Sequence, residues 1–231
     1  MKIGVVVPSF RLDAETGIDT ARRVEAAGLD GAFVYDHLFP MGQPERPAVP
    51  CFPLLGAIAA ETERIAVGPL VARIGVVPDA VLVNMFDAVE RIASGRVIAG
   101  VGLGDRKSER ENELFGLPFG SVAERVAAAT DVCRQLRDLG LPVWVGGQSR
   151  FVRQLVLAEA DAINVWAMHP DEVAAVDLDG IRVTWAGAPP EGDLAEHMKL
   201  LEDAGATWCI YGPTPGTDWP AFVDRLAAAR A

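Results

Sequence analysis

Short β-branched runs alternate with longer stretches of helical period along the whole chain, and this alternation constrains the fold more than any other feature. The runs cover residues 3–7, 31–35, 65–71, 97–101, 143–145, 161–165, 181–185 and 208–211. The helical stretches follow at 16–27, 54–62, 79–93, 121–139, 149–159, 171–175, 193–204 and 219–229, and a loop separates the fourth run from its helix. Strands that alternate with helices pair in parallel through right-handed crossovers. Eight such units predict an α/β fold closed into a (β/α)8 TIM barrel, with an open doubly wound sheet as the alternative. The 231 residues suit one barrel domain spanning 1–231, since such barrels typically need about 250 residues. Ser121-Val122-Ala123-Glu124 has the pattern of a capping box, and Gly28, Gly140 and Gly205 stand where helices would end.

Composition narrows the partners. Half of the residues are hydrophobic, enough for a substantial core. The net charge of -11 comes without a basic stripe, which argues against nucleic acid or a membrane surface as partner and says little about small molecules. Cys51, Cys133 and Cys209 are far apart and odd in number, so reduced thiols are expected rather than a disulfide framework or zinc site. His37, His169 and His197 are too scattered to propose a metal. Residues 1–8 read as a buried strand too short for a signal peptide, and no apolar run reaches the ~18 residues of a membrane span. A cytoplasmic protein is expected, and a homodimer is compatible with the composition.

In a barrel of this kind function collects in the loops after the strands. Those loops hold Pro8-Ser9-Phe10, Asp36-His37, Ala72-Arg73, Gly102-Leu103-Gly104-Asp105, Gly146-Gly147-Gln148-Ser149, Trp166 with His169, Gly187 and Gly212. Gly146 and Gly147 would allow a close backbone approach, with Ser149 at a helix N-cap, where free N–H groups attract phosphate. A tight turn without ligand is the competing reading. His37 directly after a strand could move a proton or line a ring pocket, or else form a structural pair with Asp36. Gly100-Val101-Gly102-Leu103-Gly104 has no helix opening immediately after it, so it is a weak dinucleotide fingerprint. Arg91 and Arg96 fall at the opposite rim, where a structural role is expected, and His197 reads as a solvated helix residue.

Several of these segments together resemble one family. They are Asp30 to His37, Glu61 to Gly68, Ser94-Gly95-Arg96-Val97 with Gly100 to Gly104, Phe115-Gly116, Glu124-Arg125, Pro142 to Gly147 and Ala160 to Trp166. The chain is similar to the luciferase-like monooxygenases, especially the branch using the deazaflavin coenzyme F420, from residue 1 to about 170. The resemblance implies a cofactor across the barrel mouth, F420 or alternatively FMN. Its phosphate would be held around Gly146, Gly147, Gln148 and Ser149. Its ring would be supported near Gly68, Pro69 and Leu70, where the family often has a bulge with a non-standard peptide bond. Gly102, Asn164 and Trp166 would complete the cofactor site. His37, Asp36 and Asp105 are the expected catalytic groups.

Two departures bear on substrate. Met41 stands where sugar-phosphate and alcohol dehydrogenases of that branch carry tryptophan, and Asp105 where they carry glutamate. The segment after the seventh strand is short, which implies a reduced lid and an open pocket. The resulting expectation is hydride transfer between the deazaflavin and a small organic substrate. An FMN monooxygenase, or a cofactor-binding barrel without turnover, are the alternatives. A phosphate-dependent isomerase or lyase would need a rim lysine or paired carboxylates, and Lys107 is the one lysine there.

Overall fold

The computed structural model describes residues 1–212, 214 and 216–230, with Lys107 described in its backbone alone, so the reading of its side chain lies outside the described residues. Nine parallel strands form one sheet in the order β3-β2-β1-β9-β8-β7-β6-β5-β4. The strands are β1 (Lys2–Val6), β2 (Gly31–Val34), β3 (Ala66–Pro69), β4 (Ala72–Arg73), β5 (Ala99–Gly102), β6 (Val143–Gly146), β7 (Ala162–Trp166), β8 (Arg182–Gly187) and β9 (Ala206–Tyr211). The helices between and after them are α1 (Glu15–Ala26), α2 (Cys51–Glu61), α3 (Asp79–Ala93), α4 (Arg106–Leu114), α5 (Val122–Asp138), α6 (Arg150–Glu159), α7 (Pro170–Ala174), α8 (Leu194–Asp203) and α9 (Trp219–Arg230).

The ninth strand is the third run broken in two. β3 pairs with β2, whereas β4 pairs with β5 on the other side. The peptide between Leu70 and Val71, in the break, is cis. A parallel bridge between Val67 and Val97 joins the edges below it: Val67 N–H donates to Arg96 O at 3.0 Å, and Ile98 N–H to Val67 O at 2.9 Å. The eight runs therefore close into a barrel, the open sheet is excluded, and the broken run forms the seam.

Side-chain size explains how the interior fills. Phe33, Trp144 and Trp208 point inward and pack together, with Phe33 5.8 Å from Trp144 and 5.7 Å from Trp208. Room for these rings comes from glycine on neighbouring strands: a Cβ at Gly4 would meet the Phe33 ring at 2.9 Å, and one at Gly31 the Trp208 ring at 2.9 Å. These rings thus fill the lower interior of the barrel, and function in such a barrel collects at the C-terminal end. Outward residues such as Val5, Val34, Val101 and Val145 are buried under the helices, which is why the strands read as continuous apolar runs.

The capping box on α5 is formed, with Glu124 N–H donating to Ser121 Oγ at 3.3 Å and Ser121 N–H to Glu124 Oε2 at 2.8 Å. One helix departs from the sequence reading, which left residues 102–120 as a loop: α4 lies there, capped by Asp105. Its buried residues, among those described, are Ser108, Glu111 and Asn112, so hydrophobic periodicity could not reveal it. Between β8 and α8, residues 188–193 contain neither helix nor strand, so no lid is built there.

Seam packing can be tested with two alanines. At Gly68 an added Cβ would overlap the Ile98 carbonyl, which is backbone and cannot yield, whereas at Gly56, within α2, the nearest atom is 3.8 Å away. Gly68→Ala is expected to lose about 1–3 kcal/mol or more in urea unfolding. Gly56→Ala is expected to be neutral or to gain about 0.5–1 kcal/mol from helix propensity.

Candidate active site

The mouth of the barrel is organised by a buried carboxylate that sequence reasoning did not single out. Glu111, on α4, is 2% exposed and carries polar partners on both oxygens. Its Oε2 lies 2.8 Å from His37 Nδ1, and Oε1 accepts the Leu38 N–H. Arg73 Nη2 sits 3.1 Å from the same Oε1 as an ion pair, although it makes no well-directed hydrogen bond. Arg73 also donates from Nε to Asp36 O at 3.0 Å and from Nη1 to Asn112 Oδ1 at 3.3 Å, while Asn112 donates to Pro118 O at 2.8 Å. One network therefore ties the end of β2, the far half of the broken strand and α4.

The acids in this network respond differently to it. Burial favours the neutral form of Glu111. The hydrogen bonds from His37 and Leu38, together with the charge of Arg73, more than offset that, so its carboxyl lies below the usual range. Asp36 is shifted upward by burial, which outweighs the Arg73 N–H that it accepts at 2.9 Å. The carboxylate bonded to the His37 ring is thus that of Glu111, and Asp36 instead holds the backbone of Arg73.

Aromatic rings line the mouth beside His37. Phe10 stacks on Tyr35 at 5.7 Å, Tyr35 meets Trp166 edge-on at 6.0 Å, and Phe10 lies 6.5 Å from His37. Burial raises the Tyr35 phenol above its ordinary pKa. Gly212 is required here, because a Cβ at that position would collide with the Tyr35 hydroxyl. Trp166 remains 47% exposed and presents a flat apolar surface at the mouth.

Two of the expected cofactor residues, Gly102 and Gly146, face Val71. A Cβ at Gly102 would come within 2.5 Å of its side chain and one at Gly146 within 3.0 Å, so these glycines make room for the broken strand. Gly68, Pro69 and Leu70 are the segment leading into the break. Gly147 has a φ of 126° and commits its N–H to Asn164 O at 3.0 Å. Asn164 is buried and donates to Thr184 Oγ1 at 2.9 Å, while Gln148 donates to Trp166 O at 3.1 Å. Ser149 caps α6 by accepting the Val152 N–H at 3.3 Å. Among the described residues, the Arg150 and Phe151 amides are left as orphan donors at the helix start, and neither Arg150 nor Arg153 pairs with a carboxylate.

Other candidates have local roles. Asp105 Oδ1 accepts the Ser108 N–H at 3.0 Å and the Ser108 hydroxyl at 3.1 Å, which starts α4. His169 caps α7 through Asp171 N–H at 3.3 Å. His197 is half-buried rather than solvated, with Nδ1 2.9 Å from Tyr211 Oη, because α8 turns it onto β9. Arg96 donates to four oxygens of the α2–β3 connection, the structural part expected of it. A cavity of about 480 Å³ opens at the opposite end, between Lys2, Arg64, Arg182 and Trp208, and a cleft of about 560 Å³ lies between Phe39, Met41 and Leu114, next to α4.

A parallel barrel whose mouth carries a carboxylate-bound histidine, an aromatic wall and an anion-ready helix start defines a small-molecule enzyme scaffold. The family model of the luciferase-like monooxygenases matches residues 1–138, and the chain belongs to that family. An F420-dependent glucose-6-phosphate dehydrogenase of Beutenbergia cavernae is 35% identical over 124 residues, 53% of this chain and 34% of that protein. One from Nakamurella multipartita is 30% identical over 135 residues, 58% of this chain and 38% of that protein. The alignments thus span little more than a third of the length of these curated relatives. Among solved structures, an F420-dependent secondary alcohol dehydrogenase in complex with an F420-acetone adduct superposes with a TM-score of 0.81 at 13% identity, covering 99% of this chain and 97% of that chain. A coenzyme F420-dependent tetrahydromethanopterin reductase from Methanopyrus kandleri gives 0.76 at 12% identity, covering 98% and 96%. At such identities these likenesses speak to the fold.

Two variants separate the carboxylates. Glu111 has a lowered pKa when folded, so its stabilisation is complete above the unfolded value of about 4.3 and is lost as pH falls through the folded one. The stability gap between the wild type and Glu111→Gln, read from urea midpoints, is therefore expected to narrow steadily below about pH 4. A gap constant with pH would contradict an ionised Glu111. Asp105→Ala is expected to lose about 1 kcal/mol as a helix cap.

Proposed function

We propose that this chain is an oxidoreductase that binds coenzyme F420 at the barrel mouth and acts on a small organic substrate, with residues 1–231 forming one barrel domain. The observation that carries this reading is the juxtaposition of a carboxylate-bound His37 with the Trp166–Tyr35–Phe10 wall on one rim. The residues fit such a cofactor. Orphan amides at the start of α6, with Arg150 and Arg153 nearby, suit its phosphate. Gly68, Pro69, Leu70, Gly102, Gly146 and Asn164 surround the strand break that would support the ring, and Gly147, Gln148, Ser149 and Trp166 flank the phosphate side. When bound, the deazaflavin supplies the hydride chemistry.

The protein's own part is orientation and proton handling. His37 keeps 22% of its side chain exposed at the mouth and exchanges a proton with the substrate. Asp36 and Glu111 maintain the geometry around it, and Asp105 acts chiefly through α4. With residues 188–193 irregular, the site stays open to substrate. Met41, at the cleft beside Phe39 and 54% exposed, replaces the tryptophan implied for the sugar-phosphate and alcohol dehydrogenases of that branch, so their exact substrates are not proposed. The reading places the protein in the cytoplasm and is compatible with a homodimer. Among the described residues no helix is long and apolar enough to cross a membrane.

A thermal-unfolding titration with F420, and separately with FMN, tests the assignment. At a hundred times its dissociation constant F420 is expected to add about 2.7 kcal/mol of stability, a rise of a few degrees. A rise with FMN alone would move the protein to the flavin monooxygenases, and no rise with either would remove the oxidoreductase reading.

A further inference from the structure

We propose that Glu111 is a positioning residue that fixes which ring nitrogen of His37 carries the proton. Its two oxygens have distinct tasks. Oε1 takes the Leu38 N–H and faces the Arg73 guanidinium, while among the described residues Oε2 meets the imidazole alone, 2.8 Å from Nδ1. A carboxylate with these partners is ionised and has no proton to give. The proton in the Oε2–Nδ1 contact therefore sits on Nδ1, and the neutral ring bears its lone pair on Nε2. Neutral imidazole in water favours the opposite form, so the arrangement is imposed by the protein.

The surroundings leave Nε2 at the mouth. Glu111 is buried on the Nδ1 side, so the exposed part of His37 falls on the far edge of the ring. Among the described residues, the charged groups packed around this corner are Glu111, Arg73 behind it, and Asp36, which is bonded to the Arg73 amide. On the other side stands the uncharged ring of Phe10.

The consequence rests on the function proposed above; the tautomer itself does not. With the lone pair outward, His37 Nε2 accepts the proton of a substrate hydroxyl as the O–H bond breaks, and the carbon-bound hydrogen leaves with its electron pair to the two-electron acceptor. The imidazolium that results stays bonded to Glu111 through Nδ1–H. In the reverse direction the same nitrogen returns the proton to a carbonyl oxygen.

Glu111→Gln gives a sharp test because it keeps the shape and changes the pattern of donors. A glutamine has one carbonyl oxygen, and the Leu38 N–H with Arg73 claims it at the Oε1 position. Its NH2 then faces His37 Nδ1, which must accept, so the ring switches to the Nε2–H form and presents a donor to the mouth. Long-range nitrogen–proton NMR of the uniformly 15N-labelled, cofactor-free chain, above the range where the imidazoles titrate, reads this directly. In the wild type His37 is expected as the Nδ1–H form by about tenfold or more, the bias conferred by a hydrogen bond to an ionised group. In Glu111→Gln the His37 preference is expected to invert. A wild-type His37 in the Nε2–H form overturns the proposal without recourse to any variant, and so does an unchanged tautomer in a folded Glu111→Gln protein. A failure to bind F420 in the thermal titration would count against the proposed function and leave the tautomer result standing.

Discussion

Closure of the barrel depends on one strand serving two neighbours in succession. β3 belongs to β2, β4 belongs to β5, and the Val67–Val97 bridge joins the edges below the break. The break turns Val71 into the mouth and brings Arg73 beneath the end of β2. Four rim residues adapt to those two side chains. Gly102 and Gly146 lack a Cβ because Val71 occupies that space. Glu111 and Asn112 are polar and buried because Arg73 has to be satisfied there. A buried guanidinium without such partners would be costly, and removing one member of a buried pair typically costs about 3–5 kcal/mol.

Much of this architecture was legible in the sequence. The β-branched runs matched the strands because a parallel barrel buries both faces of each strand, so the apolar signal is continuous. α5 carried both an apolar face and a capping box. The break in the third run was implied only by family resemblance: the segment from Gly68 to Ala72 reads as an ordinary strand.

The site was less legible, for a physical reason. His37, Asp36 and the Gly146–Gly147 turn stand out because they follow strands directly. The partner that organises them does not, since Glu111 lies in a highly charged stretch that resembles a solvated loop. Hydrophobic periodicity finds helices that bury apolar faces, and α4 buries Ser108, Glu111 and Asn112. The remaining signals were local: an aspartate that can cap at 105, and Gly116, with φ 66°, just past the helix end. Arg73 was visible at the rim, but nothing in the sequence linked it to a residue 38 positions away.

The polar underside of α4 also affects how finely that helix is placed. An apolar face can slide or rotate slightly and still exclude water. Hydrogen bonds and ion pairs are directional, and those of α4 run to three separate elements: the end of β2, β4 and the loop at Pro118. A slip of one residue along the helix would turn Glu111 by about 100° away from His37 and break them all together. The lost cushioning is exchanged for a single register, so the helix works less as a layer of the shell than as a key that enters its lock in one orientation.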